Sequence, residues 1–220
     1  MSHETDETTP TAQREGVVPR RGRRLLLQLG LAVLLVFLVR GLVAQSYFVP
    51  TASMEPTIQV GDRVVVSKIH GELEPGDLVV LDGTGTLAPA DRSAFVSDGL
   101  IGRTLASVAS TFGIDLGEQD YLKRVGAVGG QRLSCTPGGG LVRDGEPVVE
   151  PYLPAGERSC SDPFDVEVPQ GRIFVLGDNR ARSADSRSLL GKPGGGMIRT
   201  DDVVGTVVWR YWPLSALGSP

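Results

Sequence analysis

An almost unbroken apolar stretch near the N-terminus constrains the fold of this chain more than any other feature of its sequence. Residues 1–24 are polar and end in the arginine-rich run RRGRR, after which residues 25–44 are largely apolar. A helix of that length, rising ~1.5 Å per residue, spans the ~30 Å hydrocarbon core of a bilayer. The sequence therefore predicts one transmembrane helix at 25–44, preceded by a disordered tail at 1–24.

The charges beside the apolar stretch predict its orientation. Arginine and lysine are enriched on the cytoplasmic side of membrane helices, and here the arginine-rich run comes first. We expect a cytoplasmic N-terminus, a single crossing and an extracytoplasmic body that starts at residue 45. A cleavable signal peptide ending at Ala44 is the alternative, although Leu42 is large for a position where cleavage sites carry small residues. We favour an anchor that is not cleaved.

The body has the pattern of short strands separated by turns. Gly and Pro number 29 and 15, about a fifth of the 220 residues, which argues against a helical bundle. Pro75 and Gly76 turn the chain between the first two β-prone runs. The sequence predicts a mainly antiparallel β domain over 45–216, with loose helical periodicity at 98–117. The β-prone runs are residues 63–69, 77–81, 121–128, 172–176 and 203–212.

The rare residue types exclude several kinds of chemistry. The net charge is −4, so no basic excess indicates a nucleic-acid partner. The chain has two histidines and two cysteines, and neither C-x-x-C nor H-E-x-x-H occurs, so we expect no metal. Glycine-rich phosphate-binding loops are absent too, so we expect no nucleotide or other cofactor. His3 lies in the polar tail and His70 beside a turn, which disfavours a Ser-His-Asp triad.

Polar groups that suit catalysis concentrate in three segments. The first, PTASMEPT at 50–57, holds two hydroxyls between prolines that restrict the backbone. The second, YLKRV at 121–125, places a lysine in a strand although the chain has 19 arginines and three lysines. A desolvated lysine can lose its proton near neutral pH, whereas an arginine cannot. The third is GDNRARSADSR at 177–187. Each segment alone is equally well read as a turn, a surface strand or a hydrophilic loop.

Taken together, the segments resemble bacterial signal peptidase I, a membrane-anchored Ser/Lys endopeptidase that removes signal peptides from exported proteins. The similarity runs from the apolar stretch to residue 214 and includes GDRVVVSK at 61–68. It implies an extracytoplasmic antiparallel β-sheet catalytic domain of the type shared with repressor proteases. It also implies a place in the bacterial cell membrane. The expected partners are preproteins with signal peptides, the lipid bilayer and the export machinery.

The resemblance also implies roles for individual residues. Ser53 matches the nucleophile and Lys123 the base that takes its proton. Thr51 and the backbone N–H of Ser53 match the oxyanion hole. The resemblance also gives supporting roles to residues of the third segment. Ser183 would orient the lysine, and the ion pair of Asp185 and Arg187 would fix the loop. Gly177 and Asp178 would pack the loop against the lysine.

Substrate binding follows from the same resemblance. An extended peptide would pair with a sheet edge and place small side chains at the first and third positions before the cut. For the residues that match the pocket lining, packing in the hydrophobic core is the alternative. They are Val49, Met54, Ile58, Tyr121 and Leu122.

The two cysteines, Cys135 and Cys160, fall on the extracytoplasmic side in this topology, where disulfides can form. A bridge between them would close a loop of about 25 residues and stabilise the fold by roughly 3 kcal/mol. Two unpaired thiols are the alternative.

One departure and several competing functions qualify the resemblance. After Val125 the family commonly continues with Ile-Gly and a Pro-Gly-Asp turn, whereas this chain has GAVGGQ. A self-cleaving repressor would carry a DNA-binding domain in place of the anchor. Penicillin-binding enzymes need a lysine three residues after the serine, where this chain has Pro56. A catalytically inactive, membrane-tethered binding module is the alternative that the sequence leaves open.

Overall fold

The computed structural model describes residues 20–69, 71–83, 120–154 and 156–220. The predicted tail up to residue 19, His70 and the periodic stretch at 98–117 therefore lie outside the described residues. Contacts divide the chain into two units, Met1–Leu38 and Val39–Pro220.

The N-terminal element is helix α1, Arg20–Leu42. It begins before the predicted anchor because arginine is a good helix former and the basic flank continues the helix. Leu25, Leu29 and Leu34 on this helix are all more than half exposed. Within the described ranges, no helix is both long and apolar enough to cross a membrane. The anchor at 25–44 stays a prediction, and Ala44 itself begins the first strand.

The body is mainly β, as the sequence predicts, and all strand pairs in the described part of the chain are antiparallel. The larger sheet has seven strands in the order β1-β2-β11-β3-β4-β9-β10. Its strands are β1 (Ala44–Phe48), β2 (Arg63–Ser67), β3 (Leu78–Asp82), β4 (Asp120–Val128), β9 (Arg172–Leu176), β10 (Ile198–Arg199) and β11 (Val203–Trp212).

The smaller sheet has four strands in the order β7-β6-β5-β8. It follows β4 through a tight turn in which Gly130 adopts φ 89°, a conformation that favours glycine. Cys135 in this sheet forms a disulfide with Cys160, with a Cα–Cα distance of 5.7 Å. The strands are β5 (Arg132–Thr136), β6 (Gly140–Arg143), β7 (Glu146–Pro147) and β8 (Phe164–Glu167).

The predicted runs at 172–176 and 203–212 are confirmed with the same bounds, as β9 and β11. The first two runs form strands β2 and β3, but these strands do not pair with each other. Strand β11 lies between β2 and β3 and hydrogen-bonds to both. The Pro75-Gly76 turn therefore joins two strands that are not neighbours, and a partner from the far end of the chain fills the gap. Local turn signals do not reveal such a non-local partner.

Three buried clusters hold the strands together. The first contains Tyr47, Met54, Ile58 and Val64, so it packs the segment that carries Ser53 against β1 and β2. The second contains both cysteines and joins the smaller sheet to β4 and β9. The third contains residues of β3, β4, β9 and β10. Both Ser53 and Lys123 belong to elements fixed by this packing.

Candidate active site

The segment carrying Ser53 is a closed loop after β1. Its ends are tied by hydrogen bonds from Val49 N to Asp62 O and from Gly61 N to Val49 O, both 2.9 Å. Met54 and Ile58 are fully buried beneath it, and Ile58 N donates to Met54 O at 3.0 Å. These apolar anchors fix the backbone of the loop, and Ser53 is left only 7% exposed.

Lys123 reaches Ser53 from strand β4, where it lies opposite Val79 of β3. Its Nζ is 2.9 Å from Ser53 Oγ and donates to Leu122 O at 3.1 Å. The lysine is 2% exposed. The structure thus brings together the two predicted catalytic residues, which are 70 positions apart in sequence.

The surroundings of Lys123 favour its neutral form. Burial lowers the pKa of its amine from 10.5 to about 8, because a desolvated ammonium loses hydration, while the negative charges of Asp185 and Asp178 oppose this shift. Within the described ranges, no carboxylate forms a salt bridge with Lys123. An amine with such a pKa is partly unprotonated just above neutral pH and can accept a proton from a hydroxyl.

Thr51 lies on the solvent side of the serine. Its Oγ1 is 3.4 Å from Ser53 Oγ, and the residue is exposed. The carbonyl of Ser53 accepts a hydrogen bond from Asn179 N at 3.1 Å, which ties the serine to the loop after β9. The Thr51 hydroxyl is therefore placed beside the predicted nucleophile, as an oxyanion-hole donor would need to be.

The loop at 177–187 is held by Asp185, which is fully buried. Its carboxylate accepts hydrogen bonds from Gly177 N at 2.9 Å, Arg187 Nε at 2.8 Å and Arg187 Nη2 at 2.8 Å. The predicted ion pair of Asp185 and Arg187 is therefore present. The Oγ of Ser183 is buried and has no hydrogen-bond partner among the described residues, so the structure does not join it to Lys123.

Asp178 receives three hydrogen bonds. Arg124 donates from Nε at 2.8 Å and from Nη2 at 2.6 Å, and Thr57 donates from Oγ1 at 2.5 Å. The guanidinium of Arg124 also stacks over the ring of Tyr152, with its Cζ 3.9 Å from the centroid. Asp178 thereby connects strand β4 to the loop that carries the serine.

Comparison with known proteins identifies the family. The sequence matches the family described as "Signal peptidase, peptidase S26" over residues 22–212. A probable signal peptidase I of Mycobacterium leprae is 34% identical over 218 residues, which cover 86% of this chain and 75% of that protein. The signal peptidase I of Mycobacterium tuberculosis is 34% identical over 212 residues, covering 86% of this chain and 71% of that protein. The chain belongs to the signal peptidase family.

Membership in the signal peptidase family confirms the prediction that the protein is a serine endopeptidase. A solved structure of a signal peptidase I from Enterococcus faecalis aligns with a TM-score of 0.40 at 20% identity, covering 63% of this chain and 98% of that chain.

In the described part of the chain, no group of three or more His, Cys, Asp or Glu side chains could hold a metal ion.

A cavity of about 230 Å³ opens beside Lys123. Val49, Tyr121 and Leu122 line it together with Thr51 and Lys123. Two residues predicted for the pocket, Met54 and Ile58, lie instead in the core beneath the serine loop and are fully buried. Their apolar side chains anchor the loop, which is the core-packing alternative that the sequence leaves open.

Several residues around the site are not predicted from the sequence. Arg124 follows Lys123 in the YLKRV segment. Because neighbouring side chains of a strand point to opposite faces, this position indicates that Arg124 contacts a different part of the site from Lys123. Thr57 closes the PTASMEPT segment. Glu150, which binds Arg180, lies in no motif, so nothing in the local sequence identifies it.

Proposed function

We propose that this protein is a membrane-anchored signal peptidase I that removes N-terminal signal peptides from exported preproteins by a Ser53/Lys123 dyad. The contact of 2.9 Å between Lys123 Nζ and Ser53 Oγ carries the proposal. A serine hydroxyl is a weak nucleophile unless a base takes its proton. An amine with a pKa of about 8 at this distance is a suitable base.

In the acylation step, neutral Lys123 takes the proton of Ser53 while Oγ attacks the carbonyl carbon before the scissile bond. The Thr51 hydroxyl and the backbone N–H of Ser53 donate to the oxyanion of the tetrahedral intermediate. When the intermediate collapses, the protonated Lys123 gives its proton to the leaving amine. The N-terminal signal peptide is then bound to Ser53 as an ester, and the mature protein departs.

In the deacylation step, Lys123 is neutral again and takes a proton from a water molecule that attacks the ester. The second tetrahedral intermediate uses the same oxyanion donors. Its collapse returns the proton to Ser53 and releases the signal peptide. One base thus serves both halves of the reaction, and no step requires a metal ion or an organic cofactor.

The cavity beside the dyad and the resemblance to signal peptidase I support a preference for small apolar side chains. The lining of the cavity by Val49, Tyr121 and Leu122 is mainly apolar. A substrate lying extended along residues 120–123 of β4, which do not pair with β9, would direct alternate side chains to the same face. We therefore propose cleavage after small residues at the first and third positions before the cut.

The proposed location follows from the apolar stretch. A single anchor at 25–44 with the arginine-rich run on the cytoplasmic side would place the catalytic body, residues 45–216, outside the membrane. There the active site would meet preproteins as the export machinery delivers them across the bilayer. The bacterial cell membrane is thus the proposed site of action.

The test is cleavage of a membrane-presented precursor with a small-x-small site by the purified full chain. The wild type and Lys123→Ala are compared from neutral to alkaline pH, with a chelator present. We expect the wild type to cut after the small residue and Lys123→Ala to lose activity by at least about 10⁴-fold. Lys192→Ala, at an exposed position, is the matched control and should retain activity.

Mass spectrometry of the products locates the cut, and circular dichroism checks that Lys123→Ala is folded. Equal cleavage by the wild type and the folded Lys123→Ala variant would refute the assignment of Lys123 as base. A wild type that does not cleave precursors with small-x-small sites would refute the proposed substrate class.

A further inference from the structure

A second buried cation lies in the loop after β9 and takes no part in the proposed chemistry. The side chain of Arg180 is 1% exposed. Its Nε donates to Gly177 O at 3.0 Å, and its Nη1 donates to Ser159 O at 2.6 Å. Its Nη2 forms a salt bridge with Glu150. Arg180 thus connects the predicted catalytic loop to a separate segment that precedes β8.

Gly177, the residue that Arg180 holds, packs tightly against the backbone of Ser53. Its N–H is bound by Asp185 and its C=O by Arg180, so both backbone groups are fixed. A Cβ on this glycine would lie 2.6 Å from Ser53 O and 2.1 Å from Ser183 Oγ, which are impossible distances. A small displacement of Gly177 would therefore move the Ser53 backbone or open the space beside it.

The segment on the other side of Arg180 is itself firmly held. Glu150, 4% exposed, accepts hydrogen bonds from Ser159 Oγ and, at 3.1 Å, from Tyr152 Oη. Burial and the Glu150 carboxylate raise the pKa of Tyr152 above its usual range, so its hydroxyl stays protonated as a donor. Ser159 precedes Cys160, which the disulfide fixes to strand β5. Arg180 is therefore anchored to a rigid point outside the loop.

We propose that Arg180, anchored by Glu150 and Ser159, is a positioning residue that holds Gly177 against Ser53 and so maintains the buried contact between Ser53 and Lys123. This inference rests on the proposed function and extends it to a residue that touches neither substrate nor dyad. The cavity is lined by residues of other segments, and neither Arg180, Gly177 nor Glu150 contributes to it. Loss of the anchor should therefore lower kcat and leave KM unchanged.

A positioning role and a merely structural role of Arg180 predict different pH profiles of activity when the anchor is lost. If Gly177 withdraws, water reaches Lys123, and its pKa rises from about 8 towards 10.5 because desolvation is the main cause of the lowered value. The acid limb of the pH profile then moves to higher pH. A variant that only lowers the folded fraction would leave the pH profile where it is.

The experiment compares Arg180→Lys and Glu150→Gln with the wild-type full chain in precursor cleavage. A displacement of about 1 Å in an active site can lower turnover about 10²-fold, and we expect a loss of at least about tenfold in kcat for each variant. KM should stay within about twofold. The same chemical changes in an exposed ion pair, Arg132→Lys and Asp165→Asn, are the controls and should leave kcat unchanged.

Titration of the Lys123 amine by NMR gives a second readout that does not need cleavage. In Arg180→Lys and Glu150→Gln the pKa of Lys123 should exceed its wild-type value, and the controls should not change it. If Arg180→Lys does not fold, Glu150→Gln decides, because it retains the buried guanidinium. Ser159→Ala is a milder test, because it removes only the hydroxyl that donates to Glu150.

Four outcomes separate the hypotheses. Lower kcat with a raised Lys123 pKa supports the positioning role. Wild-type kcat and an unchanged Lys123 pKa in the folded variants overturn it, as does a loss of activity explained by unfolding alone. A wild type that cleaves no precursor refutes the proposed function, and the inference about Arg180 is then decided by the Lys123 titration.

Discussion

Two neighbouring cations on strand β4, Lys123 and Arg124, have opposite surroundings. The guanidinium of Arg124 is bound twice by Asp178, donates to Gly76 O at 2.8 Å and stacks on Tyr152. In the described part of the chain the amine of Lys123 donates hydrogen bonds only to a hydroxyl and a backbone carbonyl, and it lies 5.8 Å from the centroid of the Tyr121 ring. It is more deeply buried than the guanidinium. The strand therefore presents one paired charge and one cation without a salt bridge.

The difference separates the parts of the site that hold geometry from the part that is reactive. Three arginines, Arg124, Arg180 and Arg187, are each paired with a buried carboxylate, and together they fix the loops around Ser53. Arginine suits this role because it stays charged and binds carboxylates with two donors. Lysine at position 123 suits the opposite role because burial without a salt bridge favours its neutral form.

The largest expected effect comes from removing the charge that pairs with Arg124. Asp178→Asn leaves a guanidinium buried without its carboxylate, and breaking such a pair typically costs about 3–5 kcal/mol. Thermal and denaturant unfolding of the full chain measure this loss. The control is Asp201→Asn in the exposed pair with Arg199, which should leave the unfolding curve nearly unchanged. Equal effects of the two substitutions would show that the buried pairing is not what holds the loops.

Removal of the charge at Lys123 is expected to increase stability, whereas Asp178→Asn is expected to decrease it. Its folded-state pKa of about 8 lies below the ordinary 10.5, so between these values the unfolded chain binds a proton that the folded chain does not. Stability therefore rises with pH across this window, and below it the wild type carries a cost of up to about 3 kcal/mol. Lys123→Met should be more stable than the wild type at pH 7.

Unfolding of both proteins at pH 7 and near pH 10.5 measures this gain, which should shrink as pH rises. Lys192→Met, at an exposed position, is the matched control and should show no such pH-dependent gain. A Lys123→Met protein less stable than the wild type at pH 7 would mean that the lysine is well paired, and the contrast with Arg124 would fail.

The smallest of the three effects concerns the hydroxyl of Thr51. Thr51→Val keeps the shape of the side chain but removes the donor beside Ser53 Oγ. The loss of one oxyanion-hole donor typically lowers turnover by about 10²–10³-fold, and because Thr51 is exposed we expect the lower end of this range. Steady-state kinetics should show reduced kcat, and Thr51→Ser should restore most of it. Wild-type kcat in Thr51→Val would remove this residue from the proposed oxyanion hole.

Strands β9 and β11, whose bounds are those predicted, are rich in β-branched and aromatic residues. The short strands β5, β6 and β8 contain polar residues and are stabilised by pairing within the smaller sheet and by the packing around the disulfide, so their local sequence carries little signal. The place of β11 between β2 and β3 is a non-local feature that no turn pattern predicts.

The candidate site was predictable to the extent that its residues lie in recognisable segments. The resemblance to signal peptidases placed Ser53 and Lys123 in one site although 70 positions separate them, and the structure brings them together. Glu150 shows the limit, since its role arises only when the fold places it against Arg180. Ser183 shows a second limit. The resemblance implies a hydrogen bond between Ser183 and Lys123, but Ser183 Oγ has no hydrogen-bond partner among the described residues.

The measurement that tests the central claim most directly is the titration of the Lys123 amine in the full chain. The chain has three lysines, so ¹³C labelling of lysine gives few resonances, and Lys123→Met assigns the one that belongs to position 123. We predict that this resonance titrates at about pH 8 and that kcat/KM for precursor cleavage rises over the same range. A Lys123 amine that titrates at 10.5 or above would contradict its role as the base.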